Sequence, residues 1–272
     1  MPITLEARRS FVRQCTCLSV WFARRLSQLG VPIRQAITNH TNVYRFTDLW
    51  DGKNHPAELS PDEWCDEKWE ALLDAFEHIH AKHDPGNASA EMEAEALELF
   101  WPRMEPALPR DVAAWPTLER MPFGFFNYNL SDENGTDGKI VLHLTNPFAP
   151  ASPFDDMPRR ARELAALLRD AMKKMPGKHT VYLQSWLAGF PPLQTLFPPA
   201  FALSASPPTP LRYHLGWWGQ LIDRTGDIHQ RHAQHIRRTG WFRYPNIQCC
   251  CPLDDTFAHL HTHFGIPLEN SR

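Results

Sequence analysis

The 272 residues contain no apolar run of about 18 residues anywhere, so no transmembrane helix is expected. The opening Met1-Pro2-Ile3-Thr4-Leu5 has no charged head leading into an apolar stretch, which argues against a secretory leader. Cys-x-x-Cys is absent, and the six cysteines at 15, 17, 65, 249, 250 and 251 include an adjacent triplet that fits no disulfide framework. A reducing cytoplasm is the expected compartment. There is no Gly-x-Ser-x-Gly elbow for a hydrolase nucleophile and no internal repeat.

What is present reads as a globular chain. Hydrophobic residues make up 43% and charged residues 22%, enough to bury a sizeable core. The 25 prolines and 10 tryptophans point to rigid connections and large aromatic walls. Net charge is −3 but unevenly placed. Residues 1–34 carry six arginines against Glu6, and residues 48–120 carry 18 acids against six Lys or Arg. The basic stretch is expected to dock on the acidic one or face solvent; no nucleic-acid module accompanies it, so neither a nucleic-acid nor a membrane partner is expected.

Apolar residues at Leu5, Val12, Cys15, Leu18, Phe22, Leu26 and Leu29 predict an amphipathic helix over 5–29, stopped by Gly30 and Pro32. Asn39–Gly52 is a connection dense in side-chain donors and acceptors. Ser60, Pro61 and Glu63 read as a capping box opening a helix with Cys65, Trp69, Leu72, Phe76 and Ile79 on one stripe. A third, acidic helix is expected over 90–101, ending at Trp101-Pro102. Beyond Pro122 the pattern turns to strands: 123–130 and 139–145 read as a hairpin, with Ile140, Leu142 and Leu144 on one face and Val141, His143 and Thr145 on the other. A helix over 159–174, strands at 179–186, 203–206 and 213–222, a short helix at 191–197, and helices at 227–238 and 254–264 follow. The expected fold is mixed α/β (α+β): a helical N-terminal part, 1–120, packed on a mainly antiparallel sheet with a C-terminal helical segment, 121–272.

The order from 123 to 222 (hairpin, loop, helix, strand, short helix, strand, strand) resembles the second half of the GNAT N-acyltransferase scaffold, over about 100 residues. The resemblance implies a cleft beside the central strands and acyl transfer to a small acceptor. In that family a glycine-rich loop before the helix cradles the pyrophosphate of acetyl-CoA. Here the matching stretch, Phe148–Arg160, has no glycine, three prolines and Asp155-Asp156. The donor implied is therefore something other than free acyl-CoA, such as an acyl carrier protein thioester.

Within that frame His143 is the expected general base, with His214 as a second and Ser185 as a polar group on the neighbouring strand. Asn146, Trp186, Trp218, Gln220, His40 and Asp48 are the expected substrate-binding residues, since aromatic walls and amides suit a small organic ligand. For Asp48 the commoner role is to terminate a turn.

The C-terminal region supplies a rival. Seven of 14 histidines follow residue 213. His229 and His232 are three apart, and His259 and His263 lie at i and i+4, the spacing that turns two imidazoles to one helical face. With Cys249 and Cys251 they suggest a metal- or haem-dependent oxidase or lyase using Fe, Cu, Zn or haem. The third expectation is a non-catalytic partner protein that docks another chain through its basic helix or Trp-rich surface.

Overall fold

The computed structural model describes residues 3–60, 66–83, 90–129 and 138–268. In chain order its elements are α1 (Leu5–Gln28), α2 (Ile33–His40), a 3-10 turn at Tyr44–Phe46, α3 (Glu67–Lys82), α4 (Ala90–Met104) and α5 (Leu108–Ala113). Then come β1 (Phe126–Tyr128), β2 (Lys139–Leu144), α6 (Met157–Lys174), β3 (Thr180–Ser185), α7 (Pro191–Gln194) and α8 (Pro199–Leu203). The chain continues through α9 (Leu215–Trp218), α10 (Gln230–Thr239), β4 (Ile247–Pro252) and α11 (Leu253–Phe264). The protein is α+β, in two compact units. One is helical and comprises 2–115 and 211–243; the other, 116–210 and 244–272, is built on the sheet. The sequence boundary near 120 is thus close to one crossing point, but residues 211–243 rejoin the helical unit.

In the helical unit α1 buries Val12, Cys15, Leu18 and Phe22 of the expected stripe with Phe11 beside them, whereas its ends Leu5 and Leu29 are exposed, and Thr4 caps the helix by accepting from Ala7 N at 3.1 Å. Phe22, Trp218 and Phe242 form an aromatic triad with centroids 5.1–5.9 Å apart. Basic residues of the first 34 positions do pair with the acidic segment. Arg8 binds Asp111 at 2.6 Å with both side chains largely buried, and Arg34 reaches Glu70, Asp74 and Glu77.

Two boundaries need correction. The cap of α3 is Asp66, whose Oδ1 accepts from Lys68 N (3.0 Å) and Trp69 N (3.2 Å), and not Ser60; the remainder of the expected box, Pro61–Cys65, lies outside the described residues. A carboxylate at the start of a helix satisfies orphan N–H groups and favours the positive end of the dipole. Helix α4 runs through Pro102 to Met104, because a proline in the last turns removes one hydrogen bond without ending the helix.

The sheet unit has strand order β1-β2-β3-β4, antiparallel at β1–β2 and β3–β4 and parallel at β2–β3. The parallel pair is joined through α6, as such a pair requires. Ile140, Leu142, Val181, Leu183, Cys249 and Cys251 are buried together with Leu164, Leu168 and Leu260, so α6 and α11 cover that face. The Cys249–Cys251 triplet was not anticipated as a strand. It forms the centre of β4, alternating in and out, with Cys251 opposite Val181 and Cys249 opposite Leu183.

Two expected strands are not strands. Residues 203–206 follow α8 and bind the edge of β4 through hydroxyls: Ser204 Oγ accepts from Cys250 N and donates to Cys250 O, both at 2.7 Å. Ser206 N and Oγ likewise bracket Gln248. Residues 213–222 form α9 and a 3-10 turn at Gly219–Leu221. Trp217, Trp218 and Leu221 are all fully buried, a spacing that a helical turn brings to one side and a strand cannot. The element order that carries the GNAT likeness therefore has a loop and a helical turn at its last two strand positions.

Candidate functional site

Strand alternation decides which polar groups can meet. On β2, Ile140 and Leu142 face the helices, so Lys139, Val141 and His143 face away. The same alternation on β3 and β4 puts Thr180, Tyr182 and Gln184, and Gln248 and Cys250, on the same open face. Asn127 pairs directly with His143, and one step beyond the Leu142–Leu183 pair the register brings Gln184 beside His143. Gln184 pairs in turn with Gln248. A polar row, Asn127, His143, Gln184, Gln248, thus crosses all four strands. Gln184 Oε1 accepts from Gln248 Nε2 and from the Tyr182 hydroxyl, both at 3.2 Å, and the Lys139 ammonium sits 4.9 Å from the centre of the Tyr182 ring. These two bonds hold the amide through its oxygen.

His143 is exposed, and among the described residues neither ring nitrogen has a hydrogen-bond partner. Desolvation by the protein mass around it lowers its pKa below the ordinary histidine value, so the imidazole is neutral at neutral pH. This is unlike His40, His232, His259 and His261, each with a ring nitrogen on a backbone carbonyl.

Ser185 does not join His143. It follows the alternation of Val181 and Leu183 on the opposite face, and its Oγ accepts from Leu187 N at 3.1 Å, closing a turn. Asn146 is also occupied: Nδ2 donates to Ala151 O and Oδ1 accepts from Phe148 N, bracing its own loop. Trp186 stacks on Tyr244 at 5.8 Å.

The remaining candidates belong to the helical unit. Trp218 is fully buried with Nε1 donating to His40 O at 3.0 Å, and Gln220 is buried with Nε2 donating to Trp217 O at 3.1 Å. These are core contacts. His40 Nδ1 lies 2.8 Å from Leu211 O, and Asp48 is an exposed partner of Arg103 at 3.5 Å. His214 precedes α9 in extended backbone; desolvation, then the charges of Arg45 and Arg212, lower its pKa.

The metal candidates do not converge. Among the described residues no group of three or more His, Cys, Asp or Glu is placed to hold an ion. His229 stacks on His232 at 3.9 Å in the helical unit, and His232 Nδ1 is engaged by Gln220 O at 2.6 Å. His259 and His263 do share a face of α11, with ring centres 4.3 Å apart, but in the sheet unit. Cys249 and Cys251 point into the core, where burial pushes both thiols up to about 11. They are small hydrophobes there, with Cys251 Sγ 3.1 Å from Thr256 Oγ1.

The helical unit also holds a cavity of about 360 Å³ between α1, α4 and α10, lined in part by Arg13, Gln14, Cys17 and Arg237 and by none of the sequence candidates. Sequence reasoning missed Asn127, Gln184 and Gln248 as neighbours of His143. Period-2 alternation alone signals Gln184, whereas Gln248 needed β4 to be recognised. No helix is long and apolar enough to cross a membrane among the described residues. Compared with protein-family models, with curated proteins and with solved structures, the chain finds no match.

Proposed function

We propose that this chain is a small-molecule-modifying enzyme whose proton-transferring group is His143 on the open face of the sheet. One observation carries the reading: a neutral, exposed imidazole with both ring nitrogens free, flanked by Asn127 and Gln184. A general base must be unprotonated at working pH and open to the proton it removes, and the lowered pKa and exposure of His143 support that role. With their oxygens already accepting, the amides on either side offer N–H donors to orient a bound acceptor molecule.

The specific chemistry we propose is acyl transfer from a thioester other than free acyl-CoA. His143 takes the proton of an amine or hydroxyl as that atom bonds to the thioester carbonyl carbon. The C–S bond breaks, and the thiolate leaves with the proton returned from the imidazolium. What supports a donor without a pyrophosphate is the start of α6, where Asp156 Oδ1 already accepts from Arg159 N at 3.0 Å. A carboxylate in that position occupies the donors a phosphate would need and repels it.

The test is thioester consumption, read by loss of ultraviolet absorbance and by mass of the acylated product. Acyl-pantetheine, acyl carrier protein and acyl-CoA donors are each combined with a panel of small amines and alcohols. Carrier or pantetheine thioester should be consumed in an acceptor-dependent way, at least a hundredfold more slowly by His143→Gln. Equal rates for the wild type and His143→Gln, or no turnover of any donor, would remove the proposal.

A further inference from the structure

The segment Asn39–Gly52 stood out in the sequence for its density of donors and acceptors, and its most unusual member is Arg45. This half-buried guanidinium, in the 3-10 turn after α2, has no hydrogen bond and no carboxylate partner among the described residues. Its contacts are ring faces: Cζ lies 4.4 Å from the centre of Trp50 and 6.0 Å from that of Tyr213. Stacking engages the flat face of a guanidinium and leaves its in-plane N–H donors unused. Taking a cation out of water without an acceptor is costly, so such donors call for one.

A second orphan stands in the same cluster. His55 is 1% exposed and stacks on Tyr213 with ring centres 3.3 Å apart. Its Nδ1 accepts from Ala57 N at 3.1 Å, so the proton of the neutral ring is on Nε2. Buried Nε2 has no acceptor among the described residues. Charges of both signs surround the cluster, and Asp51 and Asp66 lie on its Tyr44 side. Arg8, Arg110 and Arg212 accompany Arg45, whereas Asp111 is held by Arg8 and Arg110, and Glu58 faces the Tyr213 hydroxyl. Arg110 also donates to Trp50 O at 2.8 Å and to Thr47 O at 3.3 Å, which fixes the Trp50 wall.

We propose that Arg45 anchors an oxyanion-binding site in the helical unit, taking the carboxylate or phosphate group of a small molecule. The planar fork of a guanidinium matches two oxygens of either group, and rings on its face hold that fork in place. The site is independent of His143 and of the chemistry assigned to it.

The experiment follows the arginine Nε–Hε cross-peaks of the full chain during titration with sodium phosphate and, separately, sodium acetate. Ionic strength is held constant with sodium chloride. The Arg45 peak is assigned by its loss in Arg45→Lys, and the His55 Nε2 resonance is followed in parallel. A saturable shift of Arg45 with one or both oxyanions is expected, and the anion that saturates at lower concentration identifies the group preferred. Arg45→Gln should weaken the remaining response at least tenfold, and the wild-type titration stands by itself if that variant does not fold. An Arg45 peak unmoved by both anions, or moved equally by chloride, overturns the proposal.

Discussion

His143 and Ser185 project from opposite faces of one sheet. Leu142 is in register with Leu183, so His143 stands level with Gln184, and Ser185 falls one step later on the core side. A strand reverses its side chain at every residue, and no rotamer undoes that. The amide Gln184, and not the hydroxyl Ser185, is therefore the lateral neighbour of the proposed base.

The start of α3 gives a direct contrast between two caps. Asp66→Ala should cost about 0.5–2 kcal/mol, because two backbone donors lose their acceptor. Ser60→Ala should leave the two N–H groups that Asp66 accepts from still satisfied, so it should cost less than Asp66→Ala. Urea denaturation of the two variants checks this. An equal loss at Ser60 would restore the capping box.

The thiols of Cys249 and Cys251 should resist alkylation. Burial holds both near 11, so almost no thiolate exists at pH 7.5, and the core shields the sulfur. Mass spectrometry after brief iodoacetamide treatment of the native protein should find both unmodified, and modified once guanidinium is added. Rapid native labelling of either would place it outside the core.

His55 makes stability depend on pH in one direction. Its folded pKa is lowered to about 3, first by burial and then by Arg45. Above about pH 6.5 both folded and unfolded states carry a neutral ring, and the group adds no pH dependence. As pH falls, the unfolded chain binds the proton and the folded chain resists it, so stability is lost, by roughly 3 kcal/mol at pH 4. His55→Phe keeps the stack on Tyr213 and removes the titration. Denaturant unfolding at pH 7, 5 and 4 should show a shallower decline for that variant; identical declines would assign the acid sensitivity elsewhere.

Local pattern carried much of this fold. The stripe of α1, the leucine face of α6 and the two faces of β2 were legible because each is a single period read along one segment. What was not legible depends on partners distant in sequence. Cys249–Cys251 becomes a strand by pairing with Thr180–Ser185, about 70 residues earlier. Trp217 and Trp218 form a helical turn because both enter the core of α1 and α2, where packing overrides the β tendency of aromatic residues. The face of β2 that carries His143 was legible from alternation. It was misjudged at Trp218 and Gln220, since a large aromatic and an amide look the same in sequence whether they meet a ligand or a backbone carbonyl. Arg45 and His55 escaped because an unpaired charge is a property of the folded surroundings.

The proposed chemistry depends most directly on His143 being a free, neutral imidazole. Long-range ¹H–¹⁵N correlation of its ring across pH 4 to 9, assigned with His143→Gln, reads this directly. A single titration below the ordinary value of about 6.5 is expected, with both nitrogens showing solvent exchange and no locked tautomer. A pKa above that value, or a ring proton held in a persistent hydrogen bond, would contradict it.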